Sequence, residues 1–181
     1  MAGPEPQRIL IVGPGGAGKS TLARRLGTRT GLPVVHLDQL YWRPGWVEPT
    51  PAQWREQLGP VVAAPRWILD GNYGSTVKQR AAAADLVILL DRPRWVTMPN
   101  IVRRWVRHHG RTRPDMAPGC PERLRWAFVT YCWTYRRVSL PKLRRRLAEA
   151  GPARVVVLRR RAAIDAFVAG WPDSAHPPPT A

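Results

Sequence analysis

Five short, mostly apolar runs punctuate the chain, each five to seven residues long. They are rich in β-branched residues, and a glycine or a charged residue follows each of them. Continuous apolar runs, rather than alternating ones, are typical of parallel strands that are buried on both faces. The pattern therefore predicts strands at residues 8–12, 33–37, 66–70, 85–91 and 153–158.

Segments with helical spacing of apolar residues separate these strands. In the first, Leu22 and Leu26 lie four residues apart, and Gly31 stands just beyond the predicted end. Thr50 can cap a later helix that has Pro51 at its first position. The predicted helices cover residues 19–30, 51–63, 75–84, 93–109 with an irregularity at Pro99, 121–136, 141–150 and 162–169. This alternation predicts an α/β fold, in which helices cover both faces of a parallel sheet and ligands bind at the carboxyl ends of its strands.

Length and composition narrow the class of protein. The 181 residues suit one domain with its own hydrophobic core. Two cysteines without a paired CxxC motif favour a reducing compartment. No apolar run approaches the ~20 residues of a membrane-spanning helix, and the amino terminus lacks the apolar stretch of a signal peptide. We therefore expect a cytoplasmic monomer with no membrane partner.

Positive charge is concentrated in the second half of the chain. The net charge is +17, and residues 92–146 hold 15 Arg and Lys against two acids, Asp115 and Glu122. A basic surface attracts nucleotides, nucleic acid and anionic lipid alike. Arginine outnumbers lysine 26 to 3, so a GC-rich coding bias is an alternative source of the excess. Such a bias does not explain the clustering, which leaves weak nucleic-acid binding by 92–146 as a hypothesis.

Residues 13–20 read GPGGAGKS and match the phosphate-binding pattern G-x-x-x-x-G-K-[ST], with a predicted strand before it and a helix after it. Glycines let backbone N–H groups surround phosphates at a helix N-terminus, where the helix dipole favours anions. Lys19 would reach the β- and γ-phosphates, and Ser20 would ligate Mg²⁺. The motif predicts ATP and Mg²⁺ as ligands. The predicted nucleotide-binding residues are Gly13, Gly15, Gly16, Ala17, Gly18, Lys19, Ser20 and Thr21.

Three aspartates end predicted strands. Asp38 and Asp70 stand where a carboxylate near a phosphate-binding loop can orient an acceptor group or hold the Mg²⁺ shell through water. Turn or cap roles are the alternative, since aspartate favours both. For Asp91 we favour a structural role, because Arg92 and Arg94 offer local pairing.

The motifs GPGGAGKST, RWILDGNY and ADLVILLDRPRWV resemble those of the adenylate-kinase-like P-loop kinases over nearly all of residues 8–169. The stretches GLPVVHLDQLYWRPGW, ILDGNY and GRTRPDMAPGCPERL are similar to the bacterial DNA topology modulation (FlaR-like) group within that branch. The resemblance implies a three-layer α/β/α P-loop NTPase sandwich, with a five-stranded parallel sheet and the phosphate-loop strand at its centre. Residues 1–170 would form one domain, and 171–181 a disordered proline-rich tail.

The same resemblance implies two segments outside the core. Residues 38–65 would bind the acceptor, and residues 107–135 would form a helical lid. Lids of these kinases supply arginines that neutralise the transferred phosphoryl group and exclude water. The candidates here are Arg107, Arg111, Arg113 and Arg123.

The chain departs from adenylate kinase after its Asp-Gly pair. Asn72, Tyr73 and Gly74 stand where that family carries Phe-Pro-Arg, so AMP is not favoured as the acceptor. Asp38 would position the acceptor hydroxyl, and aromatic side chains of the acceptor segment could stack on a base or sugar. Packing of a small subdomain is their alternative role. These aromatic residues are Tyr41, Trp42, Trp46 and Trp54.

Three hypotheses about function and ligands remain on this evidence. The favoured one is an ATP- and Mg²⁺-dependent phosphotransferase acting on a nucleotide, a nucleoside or another small hydroxyl compound. The second is a P-loop ATPase with a regulatory or DNA-topology-related role. A zinc-binding lid is the third, less favoured option, because its ligand candidates lack the short spacing of a zinc site. Those candidates are His108, His109, Cys120 and Cys132.

Overall fold

The computed structural model describes residues 5–152 and 154–171. Five strands form one parallel sheet in the order β2-β3-β1-β4-β5, so the strand that leads into the phosphate-binding motif is central. All four pairings are parallel, with Leu10 of β1 opposite Leu69 of β3 and Val87 of β4. The strands are β1 (Arg8–Val12), β2 (Val34–His36), β3 (Trp67–Asp70), β4 (Leu86–Leu90) and β5 (Val155–Leu158).

Seven helices surround this sheet in the part of the chain that the structure describes. All run close to their predicted bounds except where noted below. They are α1 (Lys19–Thr30), α2 (Leu37–Tyr41), α3 (Pro51–Ala63), α4 (Val77–Ala83), α5 (Arg94–His108), α6 (Trp126–Ala150) and α7 (Arg161–Ala169).

Both faces of the sheet are buried, which confirms the three-layer α/β/α prediction. Alternate side chains of β1 point to opposite faces. Leu10 and Val12 pack in one cluster with residues of α3, α4 and α6, whereas Ile9 and Ile11 pack in another with residues of α1 and α7. Double burial explains why the strands read as continuous apolar runs.

Helix α6 differs from its prediction. The sequence indicated two helices, at 121–136 and 141–150, but one helix runs from Trp126 to Ala150 with Pro141 inside it. A proline removes one intrahelical hydrogen bond and crowds the preceding turn. Leu140, Leu143 and Leu147 are buried in the core on both sides of that point, and their packing offsets the loss.

Two smaller differences concern β2 and the carboxyl terminus. The chain turns into α2 directly after β2, so Asp38 lies in the first turn of a short helix that was not predicted. Trp171, the first residue of the predicted tail, is buried against Phe167. The rest of that tail and residue 153 lie outside the described residues. No helix in the described ranges is long and apolar enough to span a membrane.

The amino terminus of α3 carries the cap that was predicted at Thr50. Its hydroxyl accepts a hydrogen bond from the Gln53 backbone N–H, and the Gln53 side chain bonds back to the Thr50 N–H. Thr50→Ala should lower the free energy of unfolding by about 1 kcal/mol, because one N–H group of the first turn loses its partner. Chemical denaturation would measure the loss. Thr50→Ser keeps the oxygen and should lie close to the unsubstituted protein; an equal loss in both variants would contradict the cap's role.

Candidate functional site

The phosphate-binding motif forms a tight loop between β1 and α1. Gly13 has a φ of 149°, and a Cβ there would lie 2.6 Å from the Leu90 carbonyl oxygen. A Cβ on Gly15 would lie 2.6 Å from the Phe128 ring, because α6 packs directly on the loop. Glycine is therefore required both by the backbone conformation and by the close approach of a neighbouring helix.

Two asparagines hold this loop in place. The Asn72 side chain accepts from the Gly13 N–H at 2.9 Å and donates to the Gly13 carbonyl at 2.7 Å. Asn100 of α5 donates to the Gly16 carbonyl at 2.9 Å. The Lys19 ammonium group donates to the Pro14 carbonyl at 3.1 Å, which keeps its positive charge beside the loop. The loop is thus pre-organised around a positive charge.

Asp38, in the first turn of α2, lines the same cavity as the phosphate-binding loop. The Tyr73 hydroxyl donates to its carboxylate at 2.6 Å. Burial raises the pKa of Asp38, and the negative charge of Asp70 raises it further, while the Tyr73 hydrogen bond and the charge of Lys19 act in the opposite direction. Asp38 is therefore a stronger proton acceptor than an exposed carboxylate, which suits a general base.

Asp70 is the last residue of β3 and lines the same cavity as Asp38 and the loop. His36 and Asp70 form a hydrogen bond of 3.0 Å through His36 Nδ1 and Asp70 Oδ2. The other oxygen, Oδ1, is buried and has no hydrogen-bond partner among the described residues. A buried carboxylate oxygen is costly to leave unpaired, and Asp70 lines the same cavity as Ser20. The two oxygen-bearing side chains have the chemistry that Mg²⁺ prefers.

Arg80 supports the turn of residues 71–73, which carries Asn72 and Tyr73, and its role was not predicted from the sequence. Its fully buried guanidinium group donates to the Gly71 carbonyl at 2.9 Å, to the Asn72 carbonyl at 2.5 Å and to the Tyr73 carbonyl at 3.0 Å. Burial lowers the pKa of Arg80 to about 9, so the group stays charged at neutral pH. The only signal in the sequence was an arginine within a short, alanine-rich helix.

In the predicted lid, residues 107–135, Arg113 belongs to an ion-pair network, whereas Arg107, Arg111 and Arg123 are exposed. Arg113 is buried and lies 3.0 Å from Asp115 and 2.5 Å from Glu122, while Arg104 lies 3.1 Å from Glu122. Asp115 also accepts a hydrogen bond from Ser20 of the loop. Burial alone would raise the pKa of Asp115, but the charge of Arg113 and this hydrogen bond together lower it.

The predicted lid arginines lie in different places. Arg107, Arg113 and Arg123 line the cavity of about 840 Å³ that also contains the loop, and Arg111 does not. Arg123 lies over the Trp46 ring at 5.2 Å. The sequence analysis missed other arginines of the same cavity wall, which lie on α5 and at the entrance to α6: Arg103, Arg104 and Arg125.

The lid and the acceptor segment are in direct contact. The Gly45 N–H donates to the Gly119 carbonyl at 2.9 Å, and the Trp46 indole donates to the Pro121 carbonyl at 3.1 Å. Trp42 and Trp46 pack against a small apolar cluster of the lid. The two predicted segments are therefore packed against each other through both backbone and side-chain contacts. That lid cluster consists of Met116, Ala117 and Cys120.

The remaining aromatic residues and the cysteines have packing roles. Trp54 is buried in the core, and Tyr41 packs on it edge to face with the ring centroids 5.1 Å apart. The Cys120 thiol donates to the Arg43 carbonyl at 3.1 Å. Within the described ranges, no three His, Cys, Asp or Glu side chains are grouped as a metal site would require.

Comparison with solved structures identifies the fold. A shikimate kinase from Acinetobacter baumannii, solved in complex with shikimate, matches with a TM-score of 0.55 and 16% identity over 87% of each chain. A second shikimate kinase, from Bacteroides thetaiotaomicron, matches with a TM-score of 0.47 and 17% identity over 91% of this chain and 96% of its own. The chain shares the α/β fold of the first of these structures. No protein-family model matches it, and no curated protein matches it in sequence. The resemblance to the DNA topology modulation group therefore stays a prediction.

Arg80→Met should lower the free energy of unfolding by at least about 2 kcal/mol, because it leaves the carbonyls of residues 71–73 without a buried donor. Denaturant unfolding would measure the loss. Lys78→Met removes a cation from the exposed face of the same helix, where the Glu149 partner is 3.5 Å away, and should change stability by less than about 0.5 kcal/mol. An equal loss of stability in the two variants would show that Arg80 does not support the turn of residues 71–73.

Proposed function

We propose that this protein is a kinase that transfers the γ-phosphoryl group of ATP to a hydroxyl group of a small acceptor. The observation that carries the proposal is the convergence of Lys19, Asp38 and Asp70 on one cavity behind a basic lid. Each of the three has a separate task in phosphoryl transfer: charge neutralisation, acceptor positioning and metal binding.

ATP would bind with its phosphates in the loop of residues 13–20. The backbone N–H groups at the start of α1 and the Lys19 ammonium group supply the positive potential that a polyphosphate requires. Asn72 and Asn100 hold the loop in shape, so little further ordering is needed on binding.

Mg²⁺ fits the same end of the cavity. The Ser20 hydroxyl and the unpaired Asp70 Oδ1 are both oxygen donors of the kind that this ion takes, with water and phosphate completing its shell. When bound, the ion would neutralise charge on the phosphate oxygens. Asp115, which accepts from the Ser20 hydroxyl, would have to give up that hydrogen bond.

Asp38 would accept the proton of the acceptor hydroxyl as that oxygen attacks the γ-phosphorus. The new oxygen–phosphorus bond forms, the bond to the β-phosphate oxygen breaks, and ADP leaves with its electron pair. Arg107 and Arg123 line the cavity and would stabilise the charge spread over the transferred group. Arg113 would act by shaping the lid, because its charge is already shared between two carboxylates.

The acceptor is the open part of this proposal. The solved shikimate kinase complex has this fold and holds a small ring compound, so shikimate belongs among the compounds to test. Nucleosides and nucleoside monophosphates belong there too, because Trp42 and Trp46 lie at the cavity wall where a ring could bind.

A coupled assay of ADP formation, screened over nucleosides, nucleoside monophosphates and hydroxylated metabolites including shikimate, tests the proposal. We expect turnover that depends on one acceptor class and on Mg²⁺. Lys19→Ala should lower kcat/KM by at least about a hundredfold without changing the unfolding midpoint, because the lysine neutralises phosphate and does not pack in the core. ATP hydrolysis that needs no acceptor and yields no phosphorylated product would instead favour the regulatory ATPase.

The pH dependence of turnover tests Asp38 directly. Because its pKa is raised, kcat should fall on the acid side at a pH above the ordinary aspartate range, as Asp38 becomes protonated. Tyr73→Phe removes the hydrogen bond that favours the ionised carboxylate and should move this fall to higher pH. Tyr41→Phe is the control, since the Tyr41 hydroxyl bonds to Glu48 instead. An acid limb that is the same in all three proteins would refute the role of Asp38.

A further inference from the structure

A second cavity lies outside the site described above and shares no lining residue with it. It is a groove of about 410 Å³ at the carboxyl end of β4 and β5, between the start of α5 and the middle of α6. Its lining, which we call the arginine–tryptophan groove, consists of Asp91, Arg94, Trp95, Trp133, Arg136, Arg137, Leu140, Arg144 and Arg159.

The arginines of the groove are oriented by one buried carboxylate. Asp91 is almost completely buried, and its pairing with the adjacent Arg92 and Arg94, expected from the sequence, is not what the structure has. Instead, it holds three arginines that come from α6 and from the end of β5, at 3.0, 3.2 and 3.2 Å. These are Arg136, Arg144 and Arg159.

The groove carries more positive charge than its own acid can neutralise. It has five arginines and one carboxylate, so four positive charges lack a counterion within its lining. The three that contact Asp91 remain 47 to 63% exposed, and their remaining N–H donors are accessible to a ligand. Guanidinium groups with free donors in a fixed arrangement are suited to phosphate.

Two tryptophans add a surface for a flat ring. Trp95 is 72% exposed and Trp133 is 52% exposed, which is uncommon for side chains of this size. Arg94 lies over the Trp133 ring at 4.3 Å, so that ring is held in place by a cation–π contact. A simple anion would use the arginines and leave both indole rings in water.

We propose that the arginine–tryptophan groove binds one nucleotide unit, with its phosphate on the arginines and its base on a tryptophan. Phosphate contacts from arginine combined with stacking on aromatic rings are the means by which proteins bind single-stranded nucleic acid. A free nucleotide presents the same two groups. The proposal assigns nucleotide binding to one defined groove, where the sequence pointed only to the basic segment 92–146. The proposal does not depend on the kinase activity.

The test is fluorescence anisotropy of a labelled 12-residue oligothymidylate with the full-length protein at low salt, with dTMP as competitor. Trp95→Ala should weaken binding at least about fivefold, the lower limit for loss of one base–aromatic stack. Arg137→Ala should weaken binding and reduce the slope of log K against log salt concentration by about 0.7, as for one lost phosphate contact on a single strand. Neither side chain contacts Asp91, so folding should be unaffected.

Two control variants distinguish oligonucleotide binding in the groove from general electrostatic attraction to the protein surface. Trp126→Ala removes a tryptophan that is 80% exposed at the first residue of α6, outside the groove lining, and Arg55→Ala removes an exposed arginine of α3. Both should bind the oligonucleotide as the unsubstituted protein does. If the groove variants and the controls weaken binding equally, or if neither oligothymidylate nor dTMP binds, the proposal is wrong.

The two probes distinguish the source of the nucleotide unit. Displacement of the oligonucleotide by dTMP at a concentration similar to that of the strand supports a site for free nucleotides. Tight strand binding that dTMP displaces only at much higher concentration, with the same sensitivity to Trp95→Ala, supports single-stranded nucleic acid.

Discussion

The candidate site depends on one buried arginine. Arg80 holds the three backbone carbonyls of residues 71–73, and each of the residues around that turn supports a different part of the cavity. Asn72 fixes the phosphate-binding loop, Tyr73 orients Asp38, and Asp70 precedes the turn at the end of β3. A charged group without a carboxylate partner is costly to bury, and here backbone carbonyls supply the compensating hydrogen bonds. The turn is thus a rigid junction between the phosphate-binding loop and Asp38.

The predicted lid, residues 107–135, is the second constraint, because it contacts both the phosphate-binding loop and residues 42–46. Asp115 bonds to Ser20 on the nucleotide side, while the peptide backbone and an apolar cluster join the lid to the acceptor segment. Arg113 and Arg104 share Glu122, so the charge of Arg113 is already matched by carboxylates within the protein. This segment therefore contacts residues on two sides of the cavity.

The sheet could be predicted from the sequence because its signals are local. Buried parallel strands leave continuous apolar runs in the sequence. The glycines of the phosphate-binding loop permit its backbone conformation, and the cap of α3 joins residues three positions apart. The interactions that were missed join distant residues. Asp91 pairs with Arg159, 68 positions away, and not with its neighbours. Burial of Leu140, Leu143 and Leu147 against distant parts of the fold keeps α6 helical past Pro141. The partners of Arg80 are backbone carbonyls, which no side-chain pattern reveals.

Helix α6 has a mechanical consequence. Its 25 residues span about 37 Å, it begins directly after the lid, and it presents Phe128 and Cys132 to the phosphate-binding loop. Trp133, the next residue, and Arg136, one turn further along, line the groove on its other side. A rigid rod cannot rotate or tilt on one side alone. A displacement of α6 at the loop would therefore also change the spacing of these indole and guanidinium groups, because the helix forms part of the wall of both cavities.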